Sequence, residues 1–477
     1  MSTLKRTILL TIAVLQFGPS ASAETESKAE TETEAEANGY GYTLESTLIM
    51  AIENDPWLKK SQYKEKSLLS QSQSQSSLPD PRASINLANL PVDDFSYNSQ
   101  PMTQFKLGIS QAFARGDSLE LKRDIKKLQA RVEPNLRANR KTQLILMVGA
   151  LWLDVYKAQH SISLINDKKY LFEELRDAAE INYTSALSKS SQQEIIRADL
   201  ELAKLDDQVT VYSDQLHAAI RQLGEYVKLP QSYFINNEAN SVNFVSRSLP
   251  SVTLLNKANA LQQHPLVKAI DQNIESSQKM VELQEQGYKP QFMVNGSYAF
   301  REDAPNGMER PDFFSLGVSF DIPLFTENKQ DQDVKAAIYD KEAKREEKAL
   351  LLNQLMAAYN TQLSRLERLQ QRQELYNSSI YPQVKLQGQA SMTAYSNNEA
   401  DFAELVRARI DEVNVQLTVL DIAVEIEKVK LRANYYQSNN SSEFLAQIRT
   451  QSSVSKEHRT MTIDNNSLST TSGESHE

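Results

Sequence analysis

The stretch LILMVGALWLDVYKAQHSISLI at residues 144–165 carries the pattern from which the fold can be derived. Its apolar residues recur at alternating steps of four and three, which is the heptad spacing of a coiled-coil seam. A second seam follows the polar stretch SKSSQQ at residues 188–193, so we predict a helix, a turn and a returning helix over residues 117–219. The first seam comprises Leu144, Val148, Leu151, Val155, Ala158, Ile162 and Ile165, and the second comprises Ala198, Leu202, Leu205, Val209, Tyr212, Leu216 and Ala219.

The outgoing leg of this hairpin is far longer than an ordinary helix. It spans roughly 70 residues, or about 105 Å at the rise of an α-helix, whereas helices of globular proteins average three to four turns. A seam of this length requires partner helices along all of it. Taken alone, the stretch is equally compatible with a coiled-coil spacer.

The composition of the chain excludes several classes of function. The 477 residues include 62 acidic and 52 basic side chains, a formal net charge of −10, so the basic excess of a nucleic-acid-binding protein is absent. There is no Cys, which excludes disulfides, thiolate metal sites and a lipid-modified cysteine. The 5 His residues are scattered, and no nucleophile elbow, phosphate loop or paired histidines occur. We therefore predict no enzymatic activity, no cofactor and no metal ligands.

Both ends of the chain differ in composition from the rest. Residues 1–23 carry Lys5 and Arg6, a short apolar run and the small residues Ala21-Ser22-Ala23, which predicts a cleaved signal peptide. The run is shorter than the ~20 apolar residues of a helical membrane span. Residues 24–40 form an acidic leader and residues 438–477 a polar tail, and we predict both to be largely disordered.

Four stretches alternate between apolar and polar residues and are predicted strands. Each has roughly 10 residues, the length with which a tilted strand crosses an outer-membrane bilayer. Four strands cannot close a barrel, and open strand edges cannot lie in lipid, so three chains would together supply 12 strands. A small soluble sheet is the alternative. The stretches are Arg82–Leu90, Thr103–Phe113, Gln291–Phe300 and Phe313–Phe325.

An internal repeat organises these elements. Residues 41–227 and residues 251–437 are each predicted to form a helix, two strands and a long helical hairpin, with a linker at residues 228–250. Matching motifs lie 209 residues apart, including Pro56 with Pro265 and Pro81 with Pro290. LGIS at residues 107–110 also matches LGVS at residues 316–319, and near the tips EIIRA at 194–198 matches ELVRA at 404–408. A nearly constant spacing over several anchors indicates duplication.

The helices of the two halves fit together by length. The first helix of each half, Thr43–Leu78 and Val252–Gln286, and each returning leg have about 35 residues, so two of them stacked end to end match one outgoing leg. In the second half we predict Lys329–Tyr381 as the outgoing helix, and we expect Pro134 to kink its counterpart in the first. The second returning leg, Asp401–Tyr435, has the seam Ala403, Val406, Ile410, Val413, Leu417, Leu420 and Val424.

Over residues 40–437 the sequence resembles the TolC family of outer-membrane efflux proteins. The resemblance rests on Leu48, Ala51 and Asn54-Asp55-Pro56, on their copy Ala258, Leu261 and His264-Pro265, and on the two hairpin tips. Within the family it is most similar to the CzcC/CusC-type ducts of heavy-metal efflux systems. The motifs that carry this similarity are Leu78-Pro79-Asp80-Pro81, Asn89-Leu90-Pro91-Val92-Asp93, Met102-Thr103 and Leu107-Gly108-Ile109-Ser110-Gln111. The chain departs from the subgroup after Phe113, where it continues with Ala114-Arg115-Gly116-Asp117 and the subgroup has proline.

The resemblance implies a mainly α-helical protein with a β-barrel part. Long coiled-coil hairpins would form an α-barrel in the periplasm, and a homotrimer would share a 12-stranded barrel in the outer-membrane lipid. The function implied is an exit duct of a tripartite efflux system, working with a periplasmic adaptor of the membrane-fusion type and an inner-membrane pump of the resistance-nodulation-division type. Heavy-metal cations are the implied substrates. Alternatives are the duct of a type I protein secretion system and a periplasmic coiled-coil scaffold.

The tips of the hairpins are the predicted functional site. The resemblance implies that they lie at the periplasmic end, meet the adaptor and form the gate. The family has glycine where this chain has Ser188 and Asn398, an acidic residue at Glu404 and its copy Glu194, and a further acidic residue where this chain has Arg407. We predict a carboxylate ring that favours cations, with Arg407 holding the tips together. The predicted tip and gate residues are Ser188, Lys189, Glu194, Tyr395, Asn398, Glu399, Asp401, Glu404 and Arg407.

Overall fold

A computed structural model describes residues 43–184, 192–227, 260–397 and 399–437. The predicted signal peptide, the leader, the linker, the tail and the turn after the first long helix lie outside these ranges. The helices are α1 (Leu44–Asn54), α2 (Pro56–Gln75), α3 (Ser118–Thr184), α4 (Gln192–Leu223), α5 (Pro265–Glu285), α6 (Gln330–Leu375), α7 (Tyr381–Ser396) and α8 (Phe402–Gln437), and the strands are β1 (Arg82–Ala88), β2 (Gln104–Ala112), β3 (Phe292–Phe300) and β4 (Phe313–Phe320).

The long outgoing helix of the first half is confirmed. Helix α3 has 67 residues and continues through Pro134. The seven seam residues predicted on α3 are all buried or half-buried, as are the seven on α4. Helix α3 also buries Trp152 and Tyr156, which stack with their ring centroids 5.8 Å apart. It therefore packs against more neighbours than a two-stranded coiled coil provides.

The first predicted helix is interrupted at Asp55, so the expectation of one helix over residues 43–78 is wrong. Asp55 has an extended backbone and its side chain accepts a hydrogen bond from the Leu58 amide, which caps α2. Its other oxygen pairs with Arg140 of α3 at 2.8 Å. Because Pro56 follows at the first helical position, the chain ends one helix and begins another here.

The same device starts α5. His264 precedes Pro265, and its Nδ1 atom accepts a hydrogen bond from the Leu266 amide at 3.3 Å. The predicted helix over residues 252–286 is therefore also broken, and its first residues lie outside the described part of the chain.

The long helix of the second half extends beyond Tyr381, where the sequence had indicated its end. A π-helical turn at Tyr376–Ile380 joins α6 to α7, so the three segments of 46, 5 and 16 residues together match the length of α3. Pro382 occupies the first turn of α7, where a missing amide hydrogen is tolerated. The π turn thus lets the helical run pass a proline that otherwise predicts a stop.

The four strands form one antiparallel sheet in the order β1-β2-β3-β4. The central pair joins the two halves of the chain, because β2 pairs with β3. Four apolar clusters hold the described helices together, and two of them are the largest. One includes Leu48, Trp152, Leu223 and Val424, and the other, nearer the tips, includes Phe172, Leu202, Phe402 and Leu405. None of the described helices combines the length and apolar character needed to cross a membrane.

Candidate functional site

The sheet separates its side chains into one apolar and one polar face. On the apolar face Ile85 lies opposite Leu107, Leu107 opposite Tyr298, and Tyr298 opposite Phe314. Successive residues of a strand point to opposite faces, so the rows above and below follow the same division. The large apolar side chains of this face are Ile85, Leu87, Phe105, Leu107, Ile109, Phe292, Val294, Tyr298, Phe300, Phe314, Leu316, Val318 and Phe320.

This apolar face is uncovered in the single chain. Leu316 and Phe314 are each 72% exposed, and Ile85 is 70% exposed. Contiguous apolar surface of this size is rare on soluble monomers and marks a surface that contacts lipid or protein. The face therefore requires a covering that the chain does not supply among its described residues.

Aromatic side chains concentrate at the two ends of the apolar face. Phe105 and Phe300 lie near one end with their ring centroids 6.4 Å apart, and Phe292 and Phe320 lie at the other with theirs 5.7 Å apart. Tyr298 and Phe314 lie in the row next to Phe105 and Phe300, and the aliphatic side chains Ile109, Val294, Leu316 and Val318 occupy the two rows between the aromatic ends. Aromatic girdles around an aliphatic band are typical of strands that cross a lipid bilayer.

The opposite face is mostly polar, with small side chains at its centre and with Met293 and Phe313 as its large apolar residues. Ser84, Gly108 and Ser297 lie side by side across three strands. The packing there is close, because a Cβ atom added to Gly108 would lie 2.6 Å from Ser84 Oγ. Two cations, Arg82 and Lys106, project from this face, and no strand residue is Asp or Glu.

The outer connections of the sheet are tied to each other. Arg310 donates hydrogen bonds from Nη1 to the carbonyl oxygens of Asn98 and Gln100, both at 3.2 Å. Arg301 donates to the Pro101 carbonyl at 3.3 Å and lies over the Phe313 ring at 4.0 Å. The loop after β3 is therefore fastened to the loop after β1.

The helical tips are described in part. Ser188, Lys189 and Asn398 lie outside the described residues, so their predicted roles stay predictions. Glu194 is half-buried in the first turn of α4. Glu399 is exposed and donates its amide hydrogen to the Ala394 carbonyl at 2.8 Å.

The second tip brings together several of the predicted residues. The Tyr395 ring meets Phe402 edge-on at 5.7 Å, and Phe402 belongs to the apolar cluster near the tips. Asp401 is exposed just before α8, where its carbonyl accepts from the Glu404 amide at 3.0 Å. Glu404 and Arg407 are both exposed on α8. Arg407 forms no ion pair with another described residue of the chain, so its predicted role in holding the tips together stays a prediction.

Three ion pairs connect α3 to α8 above the tips, and the sequence reasoning did not identify them. Asp154 pairs with Lys428, and Lys157 pairs with Asp421. Lys168 lies 3.6 Å from Glu412, which is buried and also pairs with Arg409 at 3.0 Å. These charges stand beside the heptad seams, where position alone does not distinguish a paired charge from a solvated one.

The polar face of the sheet was also missed as a candidate site. Alternation in KLGIS at residues 106–110 places Lys106 on the face opposite Leu107, so the signal was present in the sequence. Among the described residues no group of three or more His, Asp or Glu side chains is arranged to hold a metal ion.

Comparison with known proteins identifies the fold. No protein-family model matches the chain, and no curated protein matches it by sequence. Crystal structures of CusC, determined to follow conformational changes during folding and transmembrane channel formation, match with a TM-score of 0.69 at 12% identity, over 83% of this chain and 92% of theirs.

Two further solved structures have the same fold. The outer-membrane channel OprN matches with a TM-score of 0.68 at 12% identity, over 83% of this chain and 90% of its own. The open state of the Neisseria gonorrhoeae MtrE outer-membrane channel matches with a TM-score of 0.67 at 13% identity, over 83% and 89% of the two chains. The predicted combination of long helical hairpins with a small sheet is therefore confirmed as the fold of these channels.

Proposed function

We propose that this protein is an outer-membrane exit duct of a tripartite efflux system. The observation that carries the proposal is the sheet, whose exposed apolar face has aromatic residues at both ends and whose other face is polar. Such a sheet is suited to separate lipid from a water-filled lumen. The likeness in fold to three solved outer-membrane channels supports the same proposal.

Closure of the sheet requires further copies of the chain. Strands β1 and β4 each pair on one side only within the described residues. Backbone groups on such edges cannot be left unpaired in lipid. We therefore propose a homotrimer in which β4 of one protomer pairs with β1 of the next, giving a 12-stranded barrel from three four-stranded sheets. We also propose that each protomer consists of the two repeats predicted from the sequence, residues 41–227 and residues 251–437, joined by the linker at residues 228–250.

The helical hairpins are proposed to extend into the periplasm and to meet an adaptor at their tips. The adaptor would connect the duct to an inner-membrane pump of the resistance-nodulation-division type. Lys189→Glu should weaken adaptor binding and transport without dissociating the trimer, whereas Lys204→Glu, on the exposed side of α4 away from the tip, should leave both unchanged. Pull-down of the adaptor and substrate accumulation in cells are the measurements.

Heavy-metal cations are the finer substrate proposal, and it rests on the subgroup resemblance of residues 78–111. Deleting the gene for the duct should lower the metal concentration that cells tolerate, and the intact gene should restore it. Retained metal tolerance together with loss of an exported polypeptide would favour the type I secretion duct instead.

Membrane fractionation with cross-linking tests the main proposal. The expected result is a protein that sediments with outer membranes and cross-links to a trimer. A periplasmic scaffold is the competing function, and it would give soluble chains after cell disruption. The uncovered apolar face of the sheet disfavours the scaffold, because a scaffold has no use for it.

A further inference from the structure

We infer that Lys106 makes the inner wall of the duct selective for anionic solutes at the level of the sheet. The inference rests on the proposed function, because it requires the polar face to line water. Lys106 lies on that face between Asn86 of β1 and Ala299 of β3. Neither neighbour carries a charge that could neutralise the ammonium group.

The surroundings of Lys106 leave its charge uncompensated. Neither Lys106 nor Arg82 forms an ion pair with another described residue. The strands contain no carboxylate, so the acidic residues of this region begin only in the connecting loops. Both formal charges on the polar face are positive even though the whole chain has a net charge of −10. The sign of the local field is therefore opposite to that of the protein.

The small neighbours of Lys106 increase its reach. On the same face, the next row along the strands includes Ser84, Gly108 and Ser297, whose side chains extend little from the backbone, while the row of Lys106 itself holds Asn86, Ala299 and Phe313. The four-carbon stem of lysine consequently places its charge farther into the lumen than any of the small side chains of the next row. In a trimer this one position becomes a ring of three ammonium groups around the axis.

Such a ring would raise the local concentration of anions and lower that of cations, because like charges repel in the confined lumen. Substrates with carboxylate, phosphate or sulfonate groups would be favoured at this level. The same ring would impede free metal cations in both directions, so the inference disfavours the heavy-metal cations named as the finer substrate proposal.

The absence of cysteine allows the local field to be measured directly. Ser297→Cys places a thiol diagonal to Lys106 on the polar face, and its reaction is followed with methanethiosulfonate reagents bearing either a sulfonate or a trimethylammonium group. Reagents are added outside intact cells, so the state of the periplasmic tips does not matter. The ratio of the two rates cancels any effect of Lys106 on thiol ionisation.

We expect the sulfonate reagent to be favoured when Lys106 is present. Lys106→Gln should lower the rate ratio of anionic to cationic reagent by roughly three- to tenfold, as expected for a charge about 7 Å away in water. Lys106→Glu should lower it further. Lys122→Gln, on the exposed side of α3, is the matched control and should leave the ratio unchanged.

Failure of the inference can be distinguished from failure of the proposed function. Ile109→Cys, on the apolar face, should be protected from both reagents if that face contacts lipid. With Ile109→Cys protected and Ser297→Cys reactive, a ratio insensitive to residue 106 would overturn the inference alone. Equal reactivity of the two thiols, or no reaction at either, would overturn the duct itself.

Discussion

Arg115 and Asp321 form an ion pair across the base of the sheet, although they belong to different halves of the chain. Arg115 also donates a hydrogen bond from Nη1 to the Gly287 carbonyl at 3.2 Å. Asp321 accepts a second bond from the Gln291 amide at 2.6 Å. The pair therefore joins the start of α3 to the segment that enters β3 and the segment that leaves β4.

Breaking this pair should weaken the junction only modestly, because both side chains remain partly exposed to water. We expect Arg115→Ala and Asp321→Ala each to lower the thermal midpoint of the detergent-solubilised protein slightly. The thermal midpoint of the double variant should be lowered by less than the sum of the two single losses, since the two residues share one interaction. Arg123→Ala removes an ion pair within α3 and is the control for a surface charge. Additive losses would show that the pair is not coupled.

Gly116, beside this pair, should be more costly to replace than a glycine with open space around it. Its φ of +43° lies in the left-handed region, and a Cβ atom would lie 2.5 Å from Lys289 Cδ. Gly307 has a φ of +79° but open space around it. Gly307→Ala should therefore cost about 1 kcal/mol of backbone strain, and Gly116→Ala should cost more because Lys289 must also move. Equal losses in thermal unfolding would contradict the contact at Gly116.

His264 should make the stability of the protein depend on pH. Burial lowers the pKa of His264 to about 4, and the Tyr435 carbonyl opposes this only in part. The unfolded chain binds a proton near pH 6.5 while the folded chain remains neutral until about pH 4, so stability is present above pH 6.5 and is lost as the pH falls from about 6.5 to about 4. The shift corresponds to about 3 kcal/mol.

His264→Asn keeps a side chain that can cap α5 but removes the titration. The difference in unfolding free energy between wild type and variant should therefore change across this pH range, whereas above pH 7 it should be constant. His217→Asn, at an exposed position of α4, is the control. If the difference in unfolding free energy between wild type and variant is constant from pH 4 to pH 7, the titration of His264 does not contribute to stability.

Ile109 and Ser110 are neighbours on β2 that face opposite sides of the sheet. Ile109→Lys should place a charge in lipid at a cost of about 2–4 kcal/mol near the bilayer midplane. Ser110→Lys should cost less, at most about 1 kcal/mol from the like charge of Arg82 opposite it, because its side chain would enter water. The yield of protease-resistant protein in outer membranes measures the difference. Equal yields from the two variants would show that the faces do not differ in surroundings.

Glu404 and Arg407 at the second tip can be separated by single-channel recording. Glu404→Gln should reduce the preference for cations if its carboxylate lies in a narrow ring. Arg407→Ala should increase the frequency or size of openings if Arg407 joins neighbouring chains. Thr418→Ala, higher on α8, is a control that should alter neither property. Unchanged conductance and selectivity in both tip variants would place the constriction elsewhere.

Much of the fold followed from periodicity. The strand stretches were recognised by alternation, and three of the four ended early, because residues such as Asn89 and Ile322 leave the ladder before the alternation stops. The seams of α3, α4 and α8 were recognised by heptad spacing, and their residues are buried or half-buried. Heptad spacing and strand alternation show which face of a helix or strand is buried, and both can be recognised within a single segment of the sequence.

The breaks in the helices could not be derived in the same way. Asp55-Pro56 stops one helix, whereas Pro134 and Pro382 do not stop theirs. The outcome depends on whether a cap, a partner such as Arg140, or a π turn is provided by residues far along the chain. For the candidate site, the alternation of side chains along β2 places Lys106 and Leu107 on different faces of the sheet. Which residues lie beside Lys106 depends on how three strands pair, and the sequence pattern does not determine that pairing.

The uncovered sheet also has a consequence for how the protein must be made. If the chain assembles into the proposed trimer, each monomer first exposes an apolar sheet face and, within its described residues, two unpaired strand edges, which are features that promote aggregation. Such a monomer would be prone to aggregate and would need chaperones or a low concentration to remain competent for assembly. We expect overproduction without matching capacity for delivery and insertion to trigger envelope stress and rapid degradation of the excess chains.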